Sequence, residues 1–455
     1  GKGIEHAIAI ILGKYQKGEK IIVVASARGN TTDNLEGILE KAAAKEEYKS
    51  DFENFKREQL KPSITIDFSK EFSILETIFE GVSLLGDYST KIKDEVLAQG
   101  ELFAAKLLAN LLQAQGINAV ATDARQLLLT DGNFGNAQPI ETISKENIIS
   151  YFKNNADKLH IVTGFIGINK KGETTTLGRN GSNYTAALLA NYLDAEELQN
   201  YTHVSGIYTA NPDLVPDAKK IEQLSFSEAN ELANFGATIL HAKTIIPLLE
   251  KNINLRILNT FNSADTGTLI TAASSEKGIK SISTISNVSL LNFEGRGLLG
   301  KVGVDARIFR ALSDKNINIS IVSQGSSERG IGLIIEANRA SEAVLALEEE
   351  FESDFYAQDV HHISILENVA VISIIGQDLS EFHLPYNALI KNQIVPILFN
   401  NTITGKNVSL VVKKDQLHKA VNVIHGQIFG VAKKINIAVF GKGLVGGTLI
   451  NQILE

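Results

Sequence analysis

The chain has 455 residues, a hydrophobic fraction of 44%, a charged fraction of 21% and a formal net charge of −8, a length that calls for roughly two to four domains rather than one core. The acidic balance, without a basic stripe, argues against nucleic acid as a partner, and no apolar run is long enough to span a membrane. Cysteine is absent, which excludes disulfides and thiolate chemistry and is consistent with a cytoplasmic location.

Strand and helix signals alternate from the start of the chain to residue 260. The chain begins with Gly1 inside an apparent helix and contains no methionine, so we expect an internal piece of a longer protein. Asp33 and Glu36 have capping-box spacing for the next helix. Because helices separate the strands, the pattern predicts an α/β fold with a mainly parallel sheet, whose ligands bind beyond the carboxyl ends of the strands. Strands are predicted at 20–26, 117–124, 159–169, 197–204 and 254–260, and a long helix at 92–115.

A polar, glycine-containing stretch at 263–278 separates this region from two units of similar plan. Each unit shows the order strand, helix, paired strands, helix. The second repeats the first at an offset of 77 residues, which relates Gly332 to Ser409. We interpret the pair as a degenerate βαββα repeat that is too short for a solenoid.

The stretch 174–190, TTTLGRNGSNYTAALLA, carries the strongest local signal for a ligand. Gly178 and Gly181 permit close backbone approach, and Ser182 is positioned to cap the helix that follows. A helix N-terminus with free amides suits a carboxylate or a phosphate, and Arg179 adds a bidentate donor for the same groups. The alternative is an ordinary helix start whose arginine pairs with a surface carboxylate.

Other polar residues accompany this loop at neighbouring strand ends. Thr31 and Thr32 follow the strand that ends near Ser26, and a second glycine-rich loop contains Gly164. Glu101 interrupts a helical face that is otherwise apolar. Each feature alone is typical of a structural turn, but together they indicate a site for a zwitterion and a phosphate donor.

Four motifs in register resemble the aspartokinases, which have the amino acid kinase fold. They are VVASARGNTTDNL, GFIGINKKGETTTLGRNGSNYTAALLA, YTHVSGIYTANPDLVPDAKKI and ELANFGATILHAKT. The segment GRGLLGKVGVDARIFRALSDKNINISIVSQGSSE resembles the regulatory ACT domains of those enzymes. The terminal AVFGKGLVGGTLI resembles the start of a homoserine dehydrogenase Rossmann domain. The chain therefore resembles the front part of a bifunctional aspartokinase–homoserine dehydrogenase.

The resemblance implies a three-layer αβα kinase domain over 1–272. Two ferredoxin-like βαββαβ ACT units over 280–366 and 367–432 would follow it. Residues 433–455 would begin the dehydrogenase domain, whose glycine turn contains Gly441, Gly443 and Gly446. That turn lacks the rest of a nucleotide-binding unit, so NADP would belong only to the missing dehydrogenase part.

The resemblance also assigns residues to three sites. Arg179, Glu101 and Thr32 would be catalytic, with Arg179 on a carboxylate of L-aspartate and Glu101 receiving its ammonium group. ATP would bring Mg²⁺ with it, and no residues are assigned as metal ligands. Aspartate would contact Ser26, Thr32, Glu101, Arg179 and Ser182. The nucleotide would contact Gly164, Thr202, Gly206, Tyr208 and Lys243. An effector would contact Gly300, Val302, Gly303, Asn318, Ile319 and Gln324, although the glycine corner at 297–303 could instead simply pack a helix closely onto a sheet.

The sequence departs from the aspartokinase pattern in ways that bear on catalysis. The family opens with the loop Lys-Phe-Gly-Gly-Thr-Ser on its first strand, and this chain contains no such loop. At four further positions the usual Asp, Asp, Arg and Lys are replaced by Asn183, His203, Asp213 and Thr238. Lys219 or Lys243 would have to compensate for the two cations lost at positions 213 and 238.

The leading hypothesis is ATP-dependent phosphorylation of L-aspartate to 4-phospho-L-aspartate, the entry to lysine, threonine and methionine synthesis. Threonine, or alternatively lysine, would give feedback through the ACT units, which by analogy would form a homodimer or a larger assembly. A second hypothesis is a catalytically impaired fragment that acts only as an amino-acid-binding regulatory module. A third is a kinase for another small amino acid or for carbamate.

Overall fold

The computed structural model describes residues 2–63, 65–235, 241–273, 277–295, 302–324, 330–377 and 382–430, together with Gly443 and Thr448. Of the predicted dehydrogenase segment 433–455, only those last two residues are therefore described. Among the described residues, no helix combines the length and the apolar character needed to cross a membrane.

The first 271 residues alternate between helices and strands, as the sequence predicts, so the α/β fold class is confirmed. The helices are α1 (Lys2–Gln16), α2 (Thr31–Ala43), α3 (Lys49–Leu60), α4 (Ser69–Leu85), α5 (Thr90–Gln113), α6 (Glu141–Asn154), α7 (Gly181–Tyr192), α8 (Phe226–Asn234) and α9 (Ala242–Glu250). The strands are β1 (Val23–Ala25), β2 (Ala119–Thr122), β3 (Leu129–Thr130), β4 (Leu159–Thr163), β5 (Ile166–Asn169), β6 (Thr174–Thr176), β7 (Glu197–Thr202), β8 (Gln223–Ser225), β9 (Asn254–Asn259) and β10 (Thr268–Thr271).

These strands form three sheets of mainly parallel pairing, in the orders β1-β4-β2, β7-β9-β10-β8 and β3-β5-β6. The pairs β1–β4, β2–β4 and β7–β9 are parallel, whereas β9–β10 and β5–β6 are antiparallel. Parallel pairing brings the carboxyl ends of β1, β2 and β4 to one edge, where the candidate site lies. The helix α5 packs along this sheet through buried residues such as Ala105 and Leu112.

Two predicted helix caps are wrong. Helix α2 begins at Thr31, so Asp33 lies inside its first turn, and Glu36 forms an ion pair with Lys93 instead of closing a capping box. Helix α7 begins at Gly181, with Asn180 in a left-handed conformation (φ 58°) as its N-cap, which makes Ser182 the second helical residue. In both cases the spacing of polar residues was right for a helix start, but the observed N-caps, Asn30 and Asn180, lie three and two residues earlier than predicted.

The second half of the chain forms a single six-stranded antiparallel sheet. Its elements are β11 (Gly278–Glu294), α10 (Val304–Asp314), β12 (Ile319–Gln324), β13 (Gly330–Glu336), α11 (Ala340–Glu350), α12 (Glu352–Tyr356), β14 (His362–Gln377), α13 (His383–Lys391), β15 (Leu398–Asn401), β16 (Asn407–Lys413) and α14 (Leu417–Phe429). The strand order is β12-β13-β11-β14-β16-β15, and the long central pair β11–β14 joins the two repeats. The order of elements in each repeat agrees with the predicted βαββα plan.

The loop after β7 packs against the second repeat. Ala210 and Val215 are buried in one apolar cluster with Ile282 of β11 and Val421 of α14. The backbone N–H of Ile282 donates to the carbonyl of Thr209 at 2.8 Å. This bond extends the six-stranded sheet of β11–β16, which we call the regulatory sheet after the predicted ACT units, into the loop. The loop is therefore part of the second repeat's core.

Candidate active site

Three chain segments meet around the carboxylate of Glu101 on α5. The carboxylate accepts hydrogen bonds from the backbone N–H of Ala27, just after β1, and from the hydroxyl of Ser182 at the start of α7. A Cβ atom on Gly164, just after β4, would lie 2.5 Å from the Cβ of Ser182, so only glycine allows this approach. The structure thus brings together Glu101, Ser182 and Gly164, which the sequence predicted as site residues from three separate parts of the chain.

The pKa of Glu101, the carboxyl group at the centre of this cluster, is strongly shifted. Only 4% of the residue is exposed, and burial raises its pKa to about 8 even though both hydrogen bonds act to lower it. Its second oxygen, Oε2, is buried and has no hydrogen-bond partner in the described part of the chain. A buried acceptor of this kind is well suited to a ligand that brings N–H donors.

Arg179 lies on an exposed turn between β6 and α7, which we call the arginine loop (residues 177–181). The turn uses positive φ angles at Gly178 (77°) and Asn180 (58°). A Cβ atom on Gly178 would lie 2.8 Å from Asn136 Oδ1, so the loop packs closely on residues 135–136. The guanidinium of Arg179 forms no ion pair or hydrogen bond with any residue that the structure describes, which leaves it available to a ligand.

The base of the arginine loop is fixed by Asp94, a residue that the sequence reading missed. Its carboxylate accepts from the N–H groups of Gly135 and Thr176, both at 2.9 Å, and from the Thr176 hydroxyl at 2.8 Å. Asp94 is 1% exposed, and burial raises its pKa above the ordinary value despite these three hydrogen bonds. Asp94 and the adjacent Glu95 lie inside a long helix and belong to no recognised motif, so only the tertiary contacts reveal the role of Asp94.

Lys243 supports the same loop from α9. Its ammonium group donates to the carbonyl of Leu177 at 3.1 Å and to Asn136 Oδ1 at 2.6 Å, and burial lowers its pKa. His241, the N-cap of α9, has its pKa lowered first by burial and then by the charges of Lys243 and Arg179. Lys243 therefore contributes to a cationic corner around Arg179, and its predicted contact with the nucleotide stays a prediction.

The hydroxyl residues near β1 separate into two environments. Thr31 is buried, with its hydroxyl 2.6 Å from the carbonyl of Arg28 and 3.1 Å from Gln59 Nε2. Thr32 is half-buried in the first turn of α2. Ser26 is exposed and lines a groove of about 2010 Å³ between the edge strands β1 and β7, which Ser182 and Thr202 also line.

Residues 202–208, which we call the nucleotide segment because the resemblance predicts nucleotide contacts there, connect this groove to the regulatory sheet. Gly206 has φ 128°, and the next N–H, that of Ile207, donates to the Thr268 hydroxyl at 2.8 Å. The carbonyl of Tyr208 accepts from the Ser281 hydroxyl at 2.9 Å. Lys219, which follows this segment, points its ammonium group at the carbonyl of Phe429 at 3.5 Å. Thr238 lies outside the described residues.

The predicted effector residues are spread over the edge of the regulatory sheet. Gly303 is the left-handed N-cap of α10 (φ 92°), and Val302 beside it is fully exposed. Ile319 and Gln324 are the two ends of β12, which at about 3.3 Å per residue are about 16 Å apart. Asn318 is exposed beside Ile319, and Gly300 lies outside the described residues. One small effector cannot touch both ends of β12 within a single chain.

Comparisons with known proteins agree with this architecture. Residues 1–259 match the amino acid kinase family and residues 291–351 match the ACT domain. The bifunctional aspartokinase/homoserine dehydrogenase of Haemophilus influenzae is 31% identical over 84% of this chain and 48% of its own length. Lysine-sensitive aspartokinase 3 of Escherichia coli is 30% identical over 68% of this chain and 69% of its own length. The chain spans about half the length of the bifunctional relatives that it matches.

Solved structures give the same result. The crystal structure of E. coli aspartokinase III in complex with aspartate and ADP has a TM-score of 0.79 and 25% identity, and the match covers 94% of this chain and 96% of that one. The same enzyme in complex with lysine and aspartate has a TM-score of 0.74 and 25% identity, with the same coverage.

The substitution Glu101→Gln should flatten the pH dependence of stability. The folded pKa of Glu101 is about 8 and the ordinary value is 4.5, so between these values the folded chain holds a proton that the unfolded chain releases. The free energy of unfolding therefore decreases as pH rises through this window, by up to about 1.4 kcal/mol per pH unit. Thermal unfolding between pH 4.5 and 8.5 should show the decrease in the parent chain and a weaker one in Glu101→Gln. The exposed Glu53→Gln is the control, and equal slopes in all three chains would contradict this prediction.

Proposed function

The chain belongs to the aspartokinases of the amino acid kinase family, and on that premise we propose that it transfers the γ-phosphoryl group of ATP to the side-chain carboxylate of L-aspartate, giving 4-phospho-L-aspartate and ADP. The observation that carries the proposal is the buried, unpaired Oε2 of Glu101 beside the start of α7, close to a loop that presents Arg179. A carboxylate and an arginine arranged in this way match the ammonium and carboxylate groups of an amino acid. E. coli aspartokinase III, the solved relative, binds aspartate and ADP.

The substrate would be positioned by charge. Its ammonium group donates to Glu101 Oε2, and because a positive charge favours the ionised carboxylate, binding removes the proton from Glu101 near neutral pH. Arg179 and the free N–H groups at the start of α7 hold carboxylate oxygens of the substrate. These contacts fix the geometry in which the acceptor oxygen approaches the γ-phosphorus.

Phosphoryl transfer then needs alignment and charge stabilisation more than covalent help from the protein. The bond between the aspartate carboxylate oxygen and the γ-phosphorus forms as the bond to the β,γ-bridging oxygen breaks, and ADP departs with the negative charge. Mg²⁺ bound to ATP would supply neutralisation of the phosphate charge. Thr202, Gly206 and Tyr208 of the nucleotide segment are the residues we propose for nucleotide contact, with Gly164 at the neighbouring strand end.

The alternative, a binding and regulatory module with impaired catalysis, has a specific observation in its favour. Both lysines that could replace missing cations donate to backbone carbonyls, Lys243 to Leu177 and Lys219 to Phe429. Asp213 and His203 bring no fixed positive charge to the nucleotide. Because electrostatic stabilisation is the main contribution that a phosphotransferase makes, we propose that this chain binds aspartate more readily than it turns it over.

We further propose that an amino acid regulates the kinase through the ACT region, with threonine as the effector. The relative from E. coli is lysine-sensitive, so lysine is the competing effector. The separation of Ile319 from Gln324 favours an effector pocket completed by a second copy of the chain, in a homodimer or larger assembly. NADP would be used only by a dehydrogenase domain of the kind found in the bifunctional relatives.

The regulatory signal would pass through Thr209. Its hydroxyl lies 2.9 Å from Nε2 of the buried His425 on α14, and the same oxygen accepts from the N–H of Lys219 at 2.9 Å. Burial lowers the pKa of His425, so the ring is neutral at pH 7. Since Tyr208 precedes Thr209, a shift of α14 would move the nucleotide segment directly.

Arg179→Ala should weaken aspartate recognition. The loss of a charged hydrogen-bonded partner corresponds to a roughly 10- to 100-fold increase in the aspartate KM, with a smaller change in the KM for ATP. A coupled ADP-release assay with Mg²⁺ measures both, and the exposed Arg57→Ala is the control. An unchanged aspartate KM in Arg179→Ala would contradict the proposed role. Calorimetric aspartate binding without turnover in the parent chain would support the regulatory alternative.

Threonine should raise the melting temperature of the chain. At about 100 times its dissociation constant, a ligand that binds only the folded state adds about 2.7 kcal/mol of stability, which corresponds here to a shift of about 3 °C. Differential scanning fluorimetry with equal concentrations of threonine, lysine and glycine gives the comparison. A larger shift with lysine, or none with threonine at millimolar concentration, would contradict threonine as the effector.

His425→Leu and Thr209→Val should each weaken feedback inhibition, with an increase of about tenfold in the effector concentration for half-inhibition. Both substitutions break the hydrogen bond between Thr209 and His425, and Thr209→Val also removes the acceptor of the Lys219 N–H, so the double variant should show little more than Thr209→Val alone. The exposed His418→Leu on the same helix is the control. Fully additive effects in the double variant would show that the two residues act independently.

A further inference from the structure

A second cavity lies on the far side of α5 from Glu101. It has a volume of about 160 Å³ and is lined by α4, α5 and the ends of β2 and β4. Gln99 lines it, and because residues two apart on a helix differ by about 200° in direction, Gln99 and Glu101 face opposite ways. The cavity is therefore separate from the candidate active site, although the same helix borders both.

Two residues that line this cavity each carry a buried oxygen that has no partner in the described part of the chain. Lys106 donates to Oε1 of Glu71 at 2.6 Å, which leaves Glu71 Oε2 unpaired. The amide nitrogen of Gln99 donates to the carbonyl and to Oε1 of Glu95, both at 3.2 Å, which fixes the amide orientation and leaves Gln99 Oε1 unpaired. Glu71 is 4% exposed and Gln99 is 0% exposed. Both unpaired atoms are acceptors, so the cavity requires a ligand with hydrogen-bond donors.

The charges around the cavity narrow the ligand class further. Lys70, Lys106 and Arg125 line it together with the two acids Glu71 and Asp123, and a third acid, Glu95, lies 3.8 Å from Arg125, so the charges around the cavity balance. Arg125 and Asp123 are paired at 2.7 Å, whereas Lys70 is exposed at the mouth. A simple cation would leave Lys70 without a counter-charge, and a simple anion would leave the two buried acceptors unpaired. A zwitterion satisfies both requirements.

We propose that this cavity binds a small free α-amino acid. Its ammonium group donates to Glu71 Oε2 and Gln99 Oε1 at the buried end, and its carboxylate faces Lys70 and Lys106 at the mouth. The volume is similar to that of a cavity of about 150 Å³ that accommodates one benzene molecule, which limits the ligand to an amino acid with a small side chain.

Occupancy of this cavity would bear on the active site because the two share structural elements. Thr163 lines the cavity and immediately precedes Gly164, which touches Ser182. Gln99 is two residues from Glu101 on α5. The ligand would thus hold the end of β4 and the middle of α5 in the positions that the Glu101 cluster requires.

The absence of cysteine allows a site-specific test. Ile74→Cys introduces a thiol that lines the cavity, and Ser73→Cys introduces one on the exposed side of the same helix as a matched control. Maleimide labelling rates are measured with glycine, L-alanine or L-serine at millimolar concentration, with acetate and methylammonium as single-charge comparators. At least one amino acid should slow labelling of the Ile74→Cys chain about fivefold or more and leave the labelling rate of the Ser73→Cys chain unchanged. Its protection of Ile74→Cys should also be greater than that given by acetate or by methylammonium.

Two second-site variants complete the test in the Ile74→Cys background. Gln99→Leu removes an unpaired acceptor, and Lys70→Gln removes an exposed cation. Each should reduce the protection at least threefold. Lys70→Gln keeps the test valid even if Gln99→Leu folds poorly. The proposal is overturned if no amino acid protects, since the cavity then holds only water. Equal protection by methylammonium, or protection that survives both second-site variants, overturns it as well.

Discussion

The burial of the Glu101 carboxylate is the constraint on which the candidate site depends. It joins the end of β1, through the N–H of Ala27, to the start of α7, through Ser182. Burial outweighs these two hydrogen bonds and keeps the pKa near 8, so the empty site holds the carboxyl group protonated near neutral pH, and a positively charged ligand favours its ionisation. Gly164 permits this geometry because any side chain there would collide with Ser182.

The arginine loop is an exposed turn that two charged side chains hold in place. Asp94 ties its base to residues 135 and 176 through three hydrogen bonds, and Lys243 ties its first residue to Asn136. Both groups are buried enough for their pKa values to shift, in the direction that disfavours charge. The protein therefore uses two charged side chains to support one exposed guanidinium.

Much of this arrangement follows from sequence, and the exceptions have physical causes. Strand alternation, the βαββα repeat and the clustering of Glu101, Ser182 and Gly164 follow from hydrophobic period and from glycine and hydroxyl residues at strand ends. The capping box at Asp33 failed because the hydroxyl of Thr31 closes the preceding turn onto Arg28. Asp94 could not be found from sequence, because its partners lie about 40 and about 80 residues away. The domain boundaries and the assignment of individual ligand contacts stay predictions.

The packing of residues 209–218 against the regulatory sheet has a consequence for how such chains diverge. Ala210 and Val215 belong to the same apolar cluster as Ile282 and Val421. Residues 209–218 therefore pack with the regulatory part, although they precede β11 and lie in the catalytic part of the sequence. A kinase region excised before β11 would expose an apolar surface on the loop that follows its nucleotide segment. Recombination that exchanges one regulatory region for another would succeed only if residues 209–218 were exchanged with it. This short loop would therefore be inherited together with the regulatory half.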